Sequence, residues 1–371
     1  MNIVYISHLT NEISQGPNYS VPAQVKAQSK WDNVFWWNLT DAKQEFWLDG
    51  GFYHDIKEYP KKCLSALPTP FDKPDLVVFE SFYYIDDVKI ANECIKRKIN
   101  YVVVPRSALT MQGQNQKKIK KKIANAIFFK KMTKKASAIQ YLTRREYEDS
   151  GRKWNGNYFI IPNGITAQNM PDEKEKKREI KGIYIGRFDP YQKGLDLLLE
   201  ACSKCKDILE DNKFTIELYG PERLGCRADF IYQIENRGLD RILVVKDGIF
   251  GHEKYQKLKN ADFFIMTSRF EGMPMSMIEA LSFGLPCLAT NGTNMTEQID
   301  EYDAGWICES EVEEISKKLI EIVEDKDDFE RLGINAWNLS KKYNWETIAK
   351  RTHEEYEKIV QKLPQQEWGK Q

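Results

Sequence analysis

The sequence predicts an α/β protein made of two doubly wound, parallel-sheet domains of the Rossmann type. Its 371 residues suit two domains of ordinary size better than one. Short, continuous apolar runs alternate with amphipathic stretches, the pattern of strands buried on both faces and joined by helices. The alternation is interrupted once by a charged segment and then begins again.

In the first half the apolar runs are Ile3–Ser7, Val34–Leu39, Leu76–Glu80, Tyr101–Val104, Ala138–Leu142 and Tyr158–Ile161. Amphipathic stretches lie between several of them, among them Asp87–Arg97 and Lys117–Lys135. This order reads as successive βαβ units. The composition changes around Thr166–Lys181, where Pro171–Glu179 is a charge run without apolar periodicity, expected to be an interdomain linker. Strands resume near Gly182–Gly186, Thr215–Tyr219, Ile242–Lys246, Phe263–Thr267 and Pro286–Ala289. Helical patterns intervene at Gly194–Leu209, Ala228–Arg237, Glu253–Lys259 and Met275–Phe283, and Asn344–Leu363 forms a last long one. Domains of 1–165 and 166–345 follow, with a ligand cleft expected between them at the carboxyl ends of the strands.

Composition excludes several classes. Lys+Arg and Asp+Glu each number 55, so net charge gives no argument for nucleic-acid binding. The seven cysteines, an odd and scattered set, point to a reducing compartment. Cys202 and Cys205 form a CxxC, but they lie in a helical pattern with no second pair at zinc-site spacing, so no metal is expected. The first strand lacks the basic start and long apolar run of a signal peptide, and no run spans a bilayer. A cytoplasmic protein is expected, either free or peripheral on the cytoplasmic membrane face.

The densest chemical signal is Ser268–Thr290. A strand ends near Thr267, a turn carries Glu271-Gly272-Met273, and Pro274 suits the first helical position. The helix start at Met275 presents backbone N–H groups and a positive dipole end, a ready site for a diphosphate. Gly272 lets a ligand approach the backbone. Glu271 precedes the helix and Glu279 lies on it, so each reaches a different part of an extended ligand. In the second signal, Gly182–Gly194, Arg187 follows the strand and Lys193 opens the next helix. Two cations there can neutralise a diphosphate leaving group without a metal.

Together these segments resemble the nucleotide-binding half of GT-B glycosyltransferases, in particular the retaining enzymes of glycosyltransferase family 4 (glycosyl transferases group 1). Glu271…Glu279 matches the family's E-x7-E motif, Arg187 and Lys193 its G-R…K-G cations, and Pro162-Asn163-Gly164 the P-N-G that closes the first domain in many members. The resemblance covers the second half and is thinner in the first, where it rests on strand order. It implies the GT-B architecture, two Rossmann-like domains with a cleft between them, and a C-terminal helix, 346–371, that packs back on the first domain.

It also implies roles. Glu271 faces the donor sugar and Glu279 the ribose hydroxyls. Arg187 and Lys193 hold the diphosphate, the Gly272, Met273, Pro274 and Met275 backbone contacts sugar and phosphates, and the loop with Ile249 and Phe250 lies near the base. In the first domain the sequence departs from the family. Ser14-Gln-Gly16-Pro17 stands where many members have a glycine-rich loop, although Gly16 still allows phosphate approach. Pro105-Arg106-Ser107 stands where many have His-Gly. His8, Arg106 and Ser107 are candidates on the acceptor side.

The function expected is retaining, metal-independent transfer of a hexose-type sugar from a UDP- or GDP-sugar to a glycan or lipid-linked acceptor, in surface polysaccharide or glycoconjugate assembly, with no cofactor. The alternatives are a nucleotide-sugar epimerase and a non-catalytic nucleotide- or glycan-binding partner subunit. A glycosidase would leave Arg187 and Lys193 without a task, and an NAD enzyme lacks its G-x-G-x-x-G after the first strand. Lys117–Lys135 is strongly cationic, with Ile119, Ile123 and Ile127 at every fourth position. Either that stripe packs on the sheet, or the segment docks on an anionic membrane surface.

Overall fold

The computed structural model describes residues 1–12, 16–115, 118–170, 179–222 and 225–361. The expected linker falls almost wholly outside these residues, as do Ser14, Lys117 and the chain after 361. The chain divides into two compact units, Met1–Gly164 with Trp345–Gln371, and Ile165–Asn344.

The first unit is built on a seven-stranded sheet: β1 (Asn2–Ser7), β2 (Asn33–Asn38), β3 (Tyr53–Asp55), β4 (Leu76–Phe79), β5 (Asn100–Val103), β6 (Ala138–Tyr141) and β7 (Tyr158–Ile160). The order is β3-β2-β1-β4-β5-β6-β7 and every pairing is parallel. Val4 and Ile6 of β1, Val77 and Phe79 of β4 and Val103 of β5 belong to one core cluster with the aromatic Phe35 and Trp37. The helix Trp345–Val360 buries Ile348, Ala349, Thr352, Glu355, Tyr356 and Ile359, one face at helical spacing. It packs against the helix Pro17–Gln28, and Tyr356 Oη donates to Gln140 Oε1 of β6 at 3.2 Å.

The second unit carries a six-stranded parallel sheet: β8 (Ile180–Ile185), β9 (Phe214–Tyr219), β10 (Leu243–Lys246), β11 (Phe263–Met266), β12 (Cys287–Thr290) and β13 (Gly305–Cys308), in the order β10-β9-β8-β11-β12-β13. Successive residues bury on opposite faces. Tyr184, Phe263, Ile265 and Leu288 join one cluster, while Ile183, Ile185, Phe264, Met266 and Ala289 join the other. Covering both faces explains why the central strands β11 and β12 are buried throughout and read as apolar runs rather than alternating ones.

Three local expectations are corrected, and one open alternative is decided. The strands β3 and β13 were not foreseen, and both lie at sheet edges, where a short strand needs no continuous apolar run. The helix expected over Gly194–Leu209 is two helices, Leu195–Lys204 and Lys206–Asp211, separated at Cys205. Pro274 is the N-cap and not the first helical residue, its ψ of 90° holding it outside the helix that begins at Met275. The isoleucine stripe does not pack on the sheet: Ile119, Ile123 and Ile127 are all exposed.

Candidate functional site

In the second unit the strand order reverses between β8 and β11, so the crevice at their carboxyl ends is the topological switch point. Arg187 leaves the end of β8 and Glu271 the end of β11. Lys193 joins them: its Nζ donates to Glu271 Oε1 at 2.5 Å, and both side chains are about nine-tenths buried. Ser268 Oγ donates to the same carboxylate oxygen at 2.8 Å. Gln192 accepts from Arg187 Nη2 at 2.9 Å and donates to the Phe270 carbonyl at 3.4 Å, tying the Arg187 loop to the Glu271 turn.

Local backbone chemistry explains this convergence. Gly194 has φ +63° and caps the helix Leu195–Lys204, and a Cβ there would lie 1.9 Å from the Thr267 carbonyl oxygen. Thr267 Oγ1 donates to the carbonyls of Gly194 at 2.8 Å and Lys193 at 3.2 Å. The Lys-Gly pair is therefore pressed on the end of β11, which brings the ammonium to Glu271. From the other side, Asn294 Nδ2 donates to the carbonyls of Glu271 and Gly272, the latter at 3.3 Å. A Cβ at Gly292 would meet the Ser268 carbonyl oxygen at 2.0 Å, so the β12 loop also needs glycine to close on the turn.

The helix Met275–Ser282 starts beside this cluster with no side-chain cap on its first turn. Its Glu279 receives both hydrogen bonds of a bidentate pair from Lys254 Nζ, each at 2.9 Å. Gly272, Met273 and Met275 are half-buried and Pro274 is buried. Ile249 is buried in the core, whereas Phe250 exposes its ring and caps the helix Gly251–Asn260. Buried Cys202 and Cys205 are free thiols, and burial pushes both thiols up. Among the described residues no group of three His, Cys, Asp or Glu is placed to hold a metal ion.

In the first unit the reversal lies between β1 and β4. His8, just after β1, has Nε2 2.7 Å from Asp87 Oδ1 and stacks on Tyr84 with ring centroids 3.7 Å apart. Burial pushes the Asp87 carboxyl up, and the hydrogen bond from His8 pulls it back. Arg106 stands at φ +47° and directs its donors inward: Nη2 to Glu80 Oε2 at 2.6 Å, Nη1 to Ser20 at 3.2 Å and Asn163 at 3.3 Å. Its guanidinium neutralises fully buried Glu80, a framework task. The Ser107 N–H donates to Glu146 Oε1 at 2.5 Å. Gly16 precedes the helix Pro17–Gln28 as its N-cap, with Pro17 in the first turn where its missing N–H costs nothing.

Residues 166–338 match the family model described as glycosyl transferases group 1. The chain carries a group 1 glycosyltransferase domain. An uncharacterised glycosyltransferase of Methanocaldococcus jannaschii is 24% identical over 261 residues, 68% of each chain. A UDP-Gal:α-D-GlcNAc-diphosphoundecaprenol α-1,3-galactosyltransferase of Escherichia coli is 28% identical over 183 residues, 45% of each chain. Among solved structures, Anabaena HepE in complex with UDP aligns with TM-score 0.75 at 16% identity, covering 96% of this chain and 100% of that one. Sucrose-phosphate synthase of Thermosynechococcus elongatus aligns with TM-score 0.72 at 14% identity, over 97% and 99% of the two chains. The fold class is GT-B, with two Rossmann-like parallel-sheet domains.

Within this glycosyltransferase domain, the four residues singled out for charge, Arg187, Lys193, Glu271 and Glu279, lie on one linked set of loops and one helix. The sequence did not single out Ser268, Gln192, Asn294 or Lys254, which hold those four in place. Asn294 carried a signal: an Asn-Gly-Thr-Asn turn after an apolar run, with Asn294 itself at φ +62°. Lys254, on a surface-like helix 25 positions before Glu279, carried none.

Proposed function

We propose that this glycosyltransferase moves a hexose-type sugar from a UDP- or GDP-sugar to a glycan or lipid-linked acceptor, with retention at the anomeric carbon. The observation that carries the reading is the buried Lys193–Glu271 pair beside Arg187 and an uncapped helix start. An ammonium, a guanidinium and helix N–H groups suit the diphosphate that departs when the glycosidic bond breaks, and they do so without a metal or cofactor. Glu271 accepts from Lys193 and Ser268 on one oxygen, which leaves the other for a sugar hydroxyl. Held in this way it orients the sugar and stabilises positive charge, and the leaving phosphate takes the acceptor proton on the same face. Glu279, oriented by Lys254, binds the ribose hydroxyls. Support for the donor class comes from HepE, whose structures hold UDP and UDP-glucose. Support for the acceptor class comes from the diphosphoundecaprenol-linked substrate named for the Escherichia coli relative. The pathway we infer is surface polysaccharide or glycoconjugate assembly, on the cytoplasmic side of a membrane, with the lysine-rich segment facing an anionic surface.

His8 favours a second reading. A histidine fixed by a buried carboxylate is equipped to act as a general base, and a base that activates the acceptor belongs to inverting transfer. Proton NMR of the first-formed product separates the two. Retention supports the same-face route, while inversion lost in His8→Ala supports the dyad. An isomerised donor with no transfer product would identify an epimerase.

A further inference from the structure

The lysine-rich segment of the first unit is divided into Lys118–Ala124, a π-helical turn at Asn125–Phe129, and Lys130–Lys135. At roughly 100° per residue, positions four apart form rows along such a helix. The row Lys121–Asn125–Phe129 faces inward. Lys121 Nζ donates to the Gly113 carbonyl at 2.5 Å and lies 4.8 Å from the Tyr83 ring centroid. Asn125 Nδ2 donates to Gln114 Oε1 at 2.8 Å, and Phe129 is buried against Phe82 and Tyr83. The row Ile119–Ile123–Ile127 lies roughly 160° away by the same geometry, pointing to solvent. These three isoleucines are 77%, 57% and 60% exposed, and Phe128 beside them is 40% exposed. None of Lys118–Ala124 is buried.

A third row, Lys118–Lys122–Ala126–Lys130, edges a groove of about 360 Å³ whose other walls include Lys153 and Trp154. Among the described residues four lysines line it and no carboxylate does. Among the described residues no carboxylate pairs with Lys118, Lys122 or Lys130, although ion pairs are common elsewhere on the surface. An apolar ridge next to an uncompensated cationic groove has the chemistry of an amphiphile's partner, in which one part takes hydrocarbon and the other an anionic headgroup. We propose that this face docks on a bilayer containing anionic phospholipid. The isoleucine row enters the acyl boundary, and a headgroup phosphate is held in the groove by Lys118, Lys122, Lys130 and Lys153. The proposal narrows the peripheral-membrane reading above and rests on it. Diffuse attraction alone would treat all lysines of the segment alike, whereas a groove does not.

The test is sedimentation of the full chain with vesicles of phosphatidylcholine, alone or mixed with phosphatidylglycerol. Three variants are compared at equal salt: Lys118→Ser/Lys122→Ser/Lys153→Ser in the groove, Lys120→Ser/Lys131→Ser/Lys134→Ser outside it, and Ile119→Ser/Ile123→Ser/Ile127→Ser. The altered residues are surface side chains, so an unchanged Tm certifies each fold. We expect binding only to the mixed vesicles, a loss at least tenfold greater for the groove variant than for its charge-matched control, and a comparable loss for the isoleucine variant. Equal losses for the two lysine variants would overturn the groove and leave the peripheral reading standing. An unaffected isoleucine variant would overturn insertion. No binding of the parent chain to either vesicle would overturn both the proposal and the reading beneath it.

Discussion

Lys193 and Glu271 bury opposite charges about nine-tenths from solvent, so each depends on the other and on Ser268. Glu271→Gln removes the carboxylate while keeping its shape. It should lower kcat on the order of 10²-fold, the scale of losing one preorganised electrostatic group, and leave UDP or GDP affinity within a few-fold; normal turnover would remove Glu271 from the chemistry. Lys193→Ala should weaken nucleoside diphosphate binding by about 2 kcal/mol, roughly 30-fold, with nucleoside binding unchanged. Titration calorimetry with both ligands checks this, and an equal loss for the two would refute the diphosphate assignment. Arg106 belongs to a different category. Removing it strands Glu80 in the first core, so Arg106→Ala should destabilise that unit by roughly 3–5 kcal/mol, read as a fall in denaturation midpoint. A neutral effect on stability with lost activity would place Arg106 among the residues that meet a ligand.

At the scale of elements, the strand-to-helix loops do the positioning. The Lys-Gly turn after β8 works only because Gly194 takes a left-handed conformation against the Thr267 carbonyl. Gly194→Ala should displace Lys193 from Glu271 and weaken donor binding as much as Lys193→Ala does, though no charge is altered; intact binding would show that the turn tolerates the shift. This element was legible in the sequence because glycine next to lysine after a buried strand is a local signal. The long-range partners were not. Gln192, Asn294 and Lys254 contact the site across loops whose closeness is decided by sheet order, and strand periodicity does not encode order. The basic segment shows the same limit. Its period of four was plain, but whether the isoleucines face core or water depended on Lys121, Asn125 and Phe129, which anchor the opposite row.

For the whole molecule, two parallel sheets explain both what was readable and what was missed. Strands covered on both faces announce themselves as apolar runs, and the sequence marks eleven of the thirteen strands among the described residues. Two of the four edge strands escaped: β3, Tyr-His-Asp, is polar, and β13 opens on Gly305, whereas the edges β7 and β10 carry apolar runs. In the first unit the departures at Gly16 and Arg106 left the residues that meet the acceptor less legible than the charged cluster after β8 and β11. The charged cluster after β8 and β11 is proposed to bind a nucleoside diphosphate. The most direct test is the Tm of the full chain against UDP, GDP, uridine, guanosine and NAD, without added metal and again with Mg²⁺. A ligand bound only by the native state must raise Tm. UDP or GDP should raise Tm, Lys193→Ala should abolish that rise, and NAD should give none. A flat response to both diphosphates under both conditions would contradict the proposal.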